Sequence, residues 1–526
     1  MSRYFNTAGP IRRDDHYFIE PLERIDLEEI LRLIDQKKYF VLHAPRQTGK
    51  TSLLLALMEY LNALETYKCL YVNVEAAQAA RGDIDKGMQA IMSTLADDAL
   101  DHLGDPFLKE NWRAVLDENG ALSALKSLLS LWSKQSEKPI VLFLDEVDSL
   151  VGDTLISLLR QLRTGYTLRP KGFPQSIILC GVRDVRDYRI HSDMENTIIT
   201  GGSAFNVKAK SLRMGNLNID EIKKLYMQHT VETGQVFEDD IFPLVWDLTE
   251  GQPWLVNALA YEACFEIKEG RDRGTKITKE IIEEAKENLI LRRETHLDQL
   301  SDKLKEERVR RVIGPILACA SEAQNIPPDD ADYVIDLGLI KKEREFRIAN
   351  RIYKEVIPRE LTYTTQLTIH QESSWYVDKD GRLDMDKLLT AFQEFFRKNF
   401  EHWVNGFNYN EAGPQLLLQA FLQRVINGGG EVGREYGLGR QRTDVFIRWP
   451  YKDGKQEVVI ELKLLYGSME TTIEKGLEQT WQYMDKCGAR EGYLLIFNRT
   501  AGVSWEEKIF KQEKTFKNVN ITVYGM

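Results

Sequence analysis

The chain has 526 residues, more than one hydrophobic core organises, so roughly three domains are expected. A 43% hydrophobic and 29% charged make-up describes a folded, water-compatible protein, and the net charge of -11 excludes a chain that coats nucleic acid or anionic membrane along its whole length. Any polyanion contact is left to a local basic surface.

No apolar run approaches the ~18 residues of a membrane span, and the start M-S-R-Y-F-N-T-A-G-P lacks the apolar core of a signal peptide, so a cytoplasmic protein without a membrane partner is expected. Cys69, Cys180, Cys264, Cys319 and Cys487 stand singly without C-x-x-C spacing. That argues against a disulfide framework or a zinc site and suggests small core residues.

Residues Asp26 to Lys37 carry apolar positions at helical spacing, and an apolar strand, Tyr39 to Leu42, follows. It runs into Ala44 to Thr51, A-P-R-Q-T-G-K-T, the spacing of a phosphate-binding loop with Ala44 in place of the usual first glycine. In such a loop backbone N–H groups curl around a di- or triphosphate at a helix N-terminus. Lys50 would reach the β- and γ-phosphates, Thr51 would place its hydroxyl on Mg²⁺, and Gly49 would permit close backbone approach. The expected nucleotide contacts are Ala44, Pro45, Arg46, Gln47, Thr48, Gly49, Lys50, Thr51 and Ser52, with ATP and Mg²⁺ as cofactors. The segment His16 to Arg24 is placed over the adenine ring.

A strand at Cys69 to Val74, helices over 84–103 and 120–134, and the strand of P-I-V-L-F-L-D-E-V-D-S-L then alternate as in a parallel α/β sheet. Asp145 and Glu146 fall at that strand's C-terminal edge, where open α/β sheets bind ligands. Asp145 would hold Mg²⁺ through water, and Glu146 would act as general base on the water attacking the γ-phosphate. A third strand, Ser176 to Gly181, brings Arg183 to the same edge, where it could sense the γ-phosphate. Arg160 and Arg163 follow on a helix as either finger residues to a neighbouring subunit or a solvated face. Asp220 to Glu266 reads as a helical lid in which Pro253 opens a helix.

The ordered set A-P-R-Q-T-G-K-T, L-F-L-D-E, C-G-V-R-D and G-Q-P resembles the STAND and origin-initiator branch of AAA-like ATPases over roughly residues 10–360. The resemblance implies a nucleotide-proximal Pro253, a possible homo-oligomer, and a winged helix. For that module two short helices and a strand pair around L-G-L-I-K-K-E-R-E-F-R-I-A-N provide the pattern, as a contact either to DNA or to protein.

Residues 362 to 382 are polar and aperiodic and mark a boundary. Helical stretches over 385–400 and 411–427 follow, a first strand at 433–441, and then R-Q-R-T-D-V-F-I-R-W-P, a D-G turn, and E-V-V-I-E-L-K-L-L. Asp444 and Glu461 fall on neighbouring strands, and period-two alternation sends Glu461 and Lys463 to one face. Two carboxylates with water ligands suit Mg²⁺ or Mn²⁺, and a lysine beside them can orient the attacking water. This resembles the PD-(D/E)xK nuclease arrangement. Gln479 and Tyr483 in E-Q-T-W-Q-Y-M resemble the Q-x-x-x-Y motif of RecB-type nucleases, which implies a catalytic role for both. Glu411 is a candidate extra metal ligand and Glu435 a second. Arg434, Arg440, Arg442, Arg448, Lys452 and Lys455 form either a surface for a DNA backbone or a solvated face.

The expected fold class is α/β: a P-loop parallel-sheet ATPase core (1–212), a helical lid (213–300), a winged helix (301–361), a linker (362–384) and a restriction-endonuclease-like α/β domain (385–526). The expected function is an ATP-driven switch on a metal-dependent DNA nuclease of prokaryotic defence or genome maintenance. The competing reading is an initiator-like DNA-binding ATPase whose C-terminal domain does not cleave.

Overall fold

The computed structural model describes residues 3–184, 189–192, 197–292, 295–318, 326–343, 346–361, 376–406, 418, 421–422, 431–438, 441–452, 454–465, 467–498, 500 and 502–526. In 189–192, 197–201, 291, 295–296, 298–299, 301, 317–318, 358–361, 398–406, 431–438 and 441–444 the backbone alone is described. The chain divides into two compact units, Met1–Gln299 with Pro327–Tyr353, and Leu300–Ile326 with Lys354–Met526.

The first unit opens with a short parallel pair, β1 (Tyr4–Phe5) and β2 (His16–Tyr17). Its main sheet is built from β3 (Tyr39–His43), β4 (Lys68–Asn73), β5 (Ile140–Asp145) and β6 (Ser176–Gly181). After an antiparallel pair, β7 (Arg189–Ser192) and β8 (Thr197–Thr200), the strand β9 (Lys208–Arg213) completes it. The order is β4-β5-β6-β3-β9 and every pairing is parallel. Parallel strands covered on both faces read as continuous apolar runs, as Y-F-V-L-H and I-V-L-F-L-D do.

Alternation splits these strands between two cores. Val41, Val72, Leu144 and Leu179 pack on one side with Leu95 and Trp132, while Leu42, Tyr71, Phe143 and Cys180 pack on the other with Leu54 and Leu57 of the Lys50–Ala63 helix. Each fully buried Leu or Val contributes about 1.5–3 kcal/mol relative to exposure. The second face is therefore the one that looks onto the phosphate-binding helix.

The Ile84–Leu103 helix matches its expected range, with Asp83 accepting from Lys86 N at 3.1 Å at its start and Gly104 at φ 62° closing it. The expected 120–134 helix runs Ala124–Gln135, and a separate helix, Phe107–Asn119, precedes it. The latter buries Leu108, Trp112 and Val115, a spacing of four and three that makes one helical face.

The stretch expected as a lid carries the helices Ile219–Thr233, Ile241–Thr249 and Pro253–Tyr261, with Lys279–Arg292 after them. The first carries a reciprocal capping box between Asn218 and Glu221. Gly251 sits at φ 71°, where a Cβ would stand 1.8 Å from the Leu217 carbonyl oxygen, so only glycine lets the turn before Pro253 close.

Within 301–361 the helices Glu307–Ala318 and Pro328–Asp336 precede the antiparallel pair β10 (Ile340–Lys342) and β11 (Phe346–Ile348). Residues 327–353 of this stretch belong to the first unit and 300–326 to the second.

The second unit carries a mixed six-stranded sheet: β12 (Glu431–Leu438), β13 (Gln441–Tyr451), β14 (Gly454–Leu464), β15 (Glu491–Phe497), β16 (Phe510–Phe516) and β17 (Val519–Gly525). The order is β12-β13-β14-β15-β17-β16, with β14, β15 and β17 mutually parallel and the flanking pairs antiparallel. The first strand thus spans 431–438 where 433–441 was expected, because the turn falls before Gln441. The β16–β17 pair extends the expected strand set.

The Met385–Gly406 helix outruns its expected 385–400 range, and 411–427 lies largely outside the described residues. The Met469–Cys487 helix seats closely on the sheet: Cβ atoms at Gly476 and Gly492 would meet Leu494 at 2.6 Å and Met484 Sδ at 2.2 Å. Among the described residues no helix is long and apolar enough to cross a membrane.

Candidate nucleotide site and candidate metal centre

The strand β3 stops at His43, and the chain turns through Ala44–Gly49 into the Lys50 helix. Gln47 at φ 57° and Gly49 at φ 93° bend the loop back on itself. A Cβ at Gly49 would also come within 2.9 Å of Arg24 Nη1, but it is the left-handed backbone that calls for glycine there. Arg24 donates to the carbonyl oxygens of Thr48 (2.7 Å) and Gly215 (2.9 Å), and burial pulls its pKa down to about 10. Lys50 is buried, its Nζ donating to the carbonyls of Ala44 (3.0 Å) and Pro45 (3.1 Å). Thr48 Oγ1 donates to the Pro45 carbonyl at 2.8 Å.

Because β6 lies between β3 and β5, the loop and the end of β5 stand one strand apart at the same sheet edge. Thr51 Oγ1 donates to Asp145 Oδ2 at 2.8 Å, and the Glu146 backbone N–H donates to Oδ1 at 2.9 Å. Asp145 has no solvent exposure. A hydroxyl and a buried carboxylate held together are hard oxygen donors that fit Mg²⁺. Tyr71 Oη also donates to Asp145 Oδ2, at 3.1 Å, a contact the sequence reading missed because Tyr71 sits inside the apolar run of β4.

Glu146 holds a left-handed backbone, φ 56° and ψ 36°, which costs of order 1 kcal/mol in a residue with a Cβ. Burial, and next the Asp145 charge, push its carboxyl above the usual glutamate range. Asp148 Oδ1 accepts from Val182 N at 3.2 Å and ties this turn to the end of β6.

Two cavities flank the loop. One of about 390 Å³ is lined by Arg46, Gln47, Lys50, Thr51, Asn73, Glu75 and Glu146. The other, about 120 Å³, is lined by Thr7, Tyr17, Phe18, Arg24, Pro253 and Trp254. Gly9, Gln47, Gly49 and Ser52 border both. The first is lined mainly by polar and charged groups, and the second adds the rings of Tyr17, Phe18 and Trp254, against which a base can pack. The N-terminal segment is tied across them, with Ile11 N donating to Ser52 Oγ at 3.0 Å and Trp254 Nε1 to the Thr7 carbonyl at 2.8 Å. His16–Arg24 and Pro253 thus both contribute to the smaller cavity.

The Arg183 guanidinium lies 4.9 Å over the Tyr333 ring, and the residue is not among those lining the two cavities. The Pro328–Asp336 helix and β10 follow this rim. Arg213 Nη2 donates to the Ile335 carbonyl at 2.9 Å, His43 Nδ1 is 3.7 Å from Asp336 Oδ1, and Gly338 packs on Pro45. Burial drops the His43 pKa to about 4. Lys341 and Arg347 both donate to Glu250, at 2.7 and 2.6 Å. Arg163 donates to the Ser203 carbonyl at 2.8 Å within the chain.

In the second unit alternation along β14 puts Val459 in the core beneath the Met469–Cys487 helix, and Glu461 and Lys463 share its face. Glu461 is 3% exposed and its Oε1 accepts from Lys463 Nζ at 2.6 Å. Tyr483 is buried in the same core, and Gln479 lies one helical turn before it, half-buried. Asp444 belongs to β13, whose Val445 pairs with Ile460, one residue before Glu461. The side chains of Asp444, Glu435, Arg434 and Arg442 lie outside the described residues, as do Glu411 and Arg440 altogether. Among the described residues no group of three or more His, Cys, Asp or Glu side chains converges as for a metal. Arg448 pairs with Glu457 at 3.2 Å, while Lys452 and Lys455 are exposed.

A family profile described as "AAA-like domain" matches residues 7–356, more than half of the chain. Comparison with curated proteins finds no match. Among solved structures, a Walker-type ATPase of Pyrococcus abyssi is 16% identical, with 67% of this chain and 99% of that one covered and a TM-score of 0.46. Cdc6p from Pyrobaculum aerophilum is 15% identical (66% and 96% covered, TM-score 0.36). The Thermotoga maritima RuvB Holliday junction branch migration motor is 12% identical (63% and 95% covered, TM-score 0.32).

Proposed function

The chain belongs to the AAA-like domain family, with an α/β P-loop ATPase fold on a parallel sheet, and from that premise we propose that it is an ATP-binding and ATP-hydrolysing switch that controls a metal-dependent DNA nuclease in its C-terminal unit. The observation that carries the ATPase half is the Thr51–Asp145 hydrogen bond at 2.8 Å beside a cavity that Lys50 and Glu146 line together. ATP would lay its phosphates along Arg46–Ser52 and its base against Pro253 and Trp254. Mg²⁺ would be held by Thr51 and, through water, by Asp145, and it would neutralise charge developing on the phosphates. Glu146, its basicity raised by burial, would accept the proton of the attacking water.

The nuclease half is supported by the buried Glu461 held against Lys463 on a strand face covered by the helix that bears Gln479 and Tyr483. Antiparallel β12-β13-β14 followed by a helix and parallel β15 is the element order that such a site needs. Asp444 and Glu461 would hold Mg²⁺ or Mn²⁺, with Glu411 as a further ligand. Lys463 would orient the water, and Gln479 and Tyr483 would complete the site. Exposed Lys452 and Lys455 at the β13–β14 turn would meet the DNA backbone.

The domain boundaries proposed are those of the ATPase core (1–212), lid (213–300), winged helix (301–361), linker (362–384) and nuclease (385–526). The test is incubation of the purified protein with linear, circular and single-stranded DNA, with Mg²⁺ or Mn²⁺ and with or without ATP. Metal-dependent cutting supports the reading, and DNA retention without cutting under every condition sinks its nuclease half.

A further inference from the structure

The carboxylate proposed to carry the metal's water shell is gripped by a group that the phosphate-binding loop does not supply. Strand β4 pairs in parallel with β5, Tyr71 opposite Phe143 and Asn73 opposite Asp145. With a period of two, Tyr71, Phe143 and Asp145 lie on the sheet face that packs on the Lys50–Ala63 helix, and Tyr71 is one position pair short of the edge where Asp145 stands. A phenol is long enough to cover that step. Tyr71 Oη donates to Asp145 Oδ2 at 3.1 Å, the same oxygen that accepts from Thr51 Oγ1 at 2.8 Å.

The ring is fixed as well as the hydroxyl. Tyr71 is 8% exposed, belongs to the core with Leu54 and Cys180, and meets His102 edge-on with centroids 6.4 Å apart.

We infer that Tyr71 is a positioning residue for the metal site: its hydroxyl fixes the rotation of the Asp145 carboxylate so that a lone pair faces the Mg²⁺ water shell. Tyr71 and Thr51 both donate to Oδ2 and the Glu146 N–H donates to Oδ1, so losing Tyr71 removes one of the contacts that hold the carboxylate's rotation about its Cβ–Cγ bond. Such outer partners of metal-binding carboxylates change metal affinity or activity by about 10–100-fold when removed. The inference rests on the ATP and Mg²⁺ reading of this site.

The measurement is calorimetric ATP affinity with and without Mg²⁺, read as the ratio between the two, for wild type, Tyr71→Phe and Val72→Ala. Val72 is the neighbour that faces the opposite core, and its truncation reports a purely structural loss. Tyr71→Phe is expected to cut the Mg²⁺ gain about tenfold while ATP affinity without metal stays within twofold. Val72→Ala is expected to lower the melting temperature and leave the gain unchanged. Should Tyr71→Phe fail to fold, 3-fluorotyrosine at position 71 keeps the ring and the donor, and is expected to retain the gain.

A gain unchanged in Tyr71→Phe, or lost with fluorotyrosine, overturns this inference alone. A wild type that binds ATP no better with Mg²⁺ overturns the parent reading and this inference with it.

Discussion

The two sheets present chemistry in different ways. In the first unit the candidate groups sit where strands end, on a loop and a strand edge fixed by the contacts of Lys50 with the Ala44 carbonyl and of Thr51 and Tyr71 with Asp145. In the second they sit in mid-strand, where Glu461 and Lys463 are brought together by alternation within β14 and covered by a helix. A strand-end site needs contiguous residues and a permissive backbone, hence Gly49 at φ 93°. A mid-strand site needs only register, so its residues are dispersed and each is replaceable without breaking a turn. The first therefore leaves a continuous signature in the sequence and the second leaves isolated letters.

Substitutions that act on one unit and spare the other test this division. One such substitution is Glu461→Gln, which keeps shape but removes the charge of the proposed metal ligand: DNA cutting should fall ~10²-fold or more while ATP hydrolysis stays within twofold, measured on the same preparation. Lys50→Ala should weaken ATP binding by about a hundredfold, ~2.7 kcal/mol, because an ammonium on two phosphates is lost. Unchanged affinity in calorimetry contradicts that role. Glu146→Gln should leave ATP bound and slow phosphate release by ~10²–10⁴-fold, since an amide does not accept the water's proton.

Smaller still, Gly476→Ala should destabilise the second unit by about 1–3 kcal/mol, because its Cβ would meet Leu494 at 2.6 Å. Thermal unfolding with and without ATP checks this, and a shift confined to a transition that ATP stabilises would contradict the assignment. The mildest test is pH. Glu146 is raised by burial, so it takes a proton on acidification before an ordinary glutamate would, and hydrolysis should decline through a midpoint above the usual glutamate range that Glu146→Gln abolishes.

Sequence legibility follows the same physics. The strands β3, β5 and β6 are apolar on both faces and stood out within a residue of their bounds. Strand β9, K-A-K-S-L-R, lies at the sheet's edge with mostly exposed or half-buried side chains, and carries no apolar run to notice. The Phe107–Asn119 helix went unread although Leu108, Trp112 and Val115 mark its face, because polar residues separate them and Pro106 suggests a loop. Tyr71 was hidden differently. Its role comes from a neighbouring strand's register, which no single stretch of sequence encodes. Arg183 was legible as a strand-end residue, but its stacking on the Tyr333 ring, from a segment 150 residues on, was not.

The central claim is that nucleotide state governs cutting, and it is tested most directly by cleavage rates of the whole protein with no nucleotide, ADP, ATP and a non-hydrolysable analogue. ATP shifts an equilibrium only if it binds the competent and incompetent states unequally. The account predicts at least a tenfold difference, about 1.4 kcal/mol of coupling, which Lys50→Ala removes without removing basal cutting. Equal rates in all four conditions would mean that the two units are merely joined, and would contradict it.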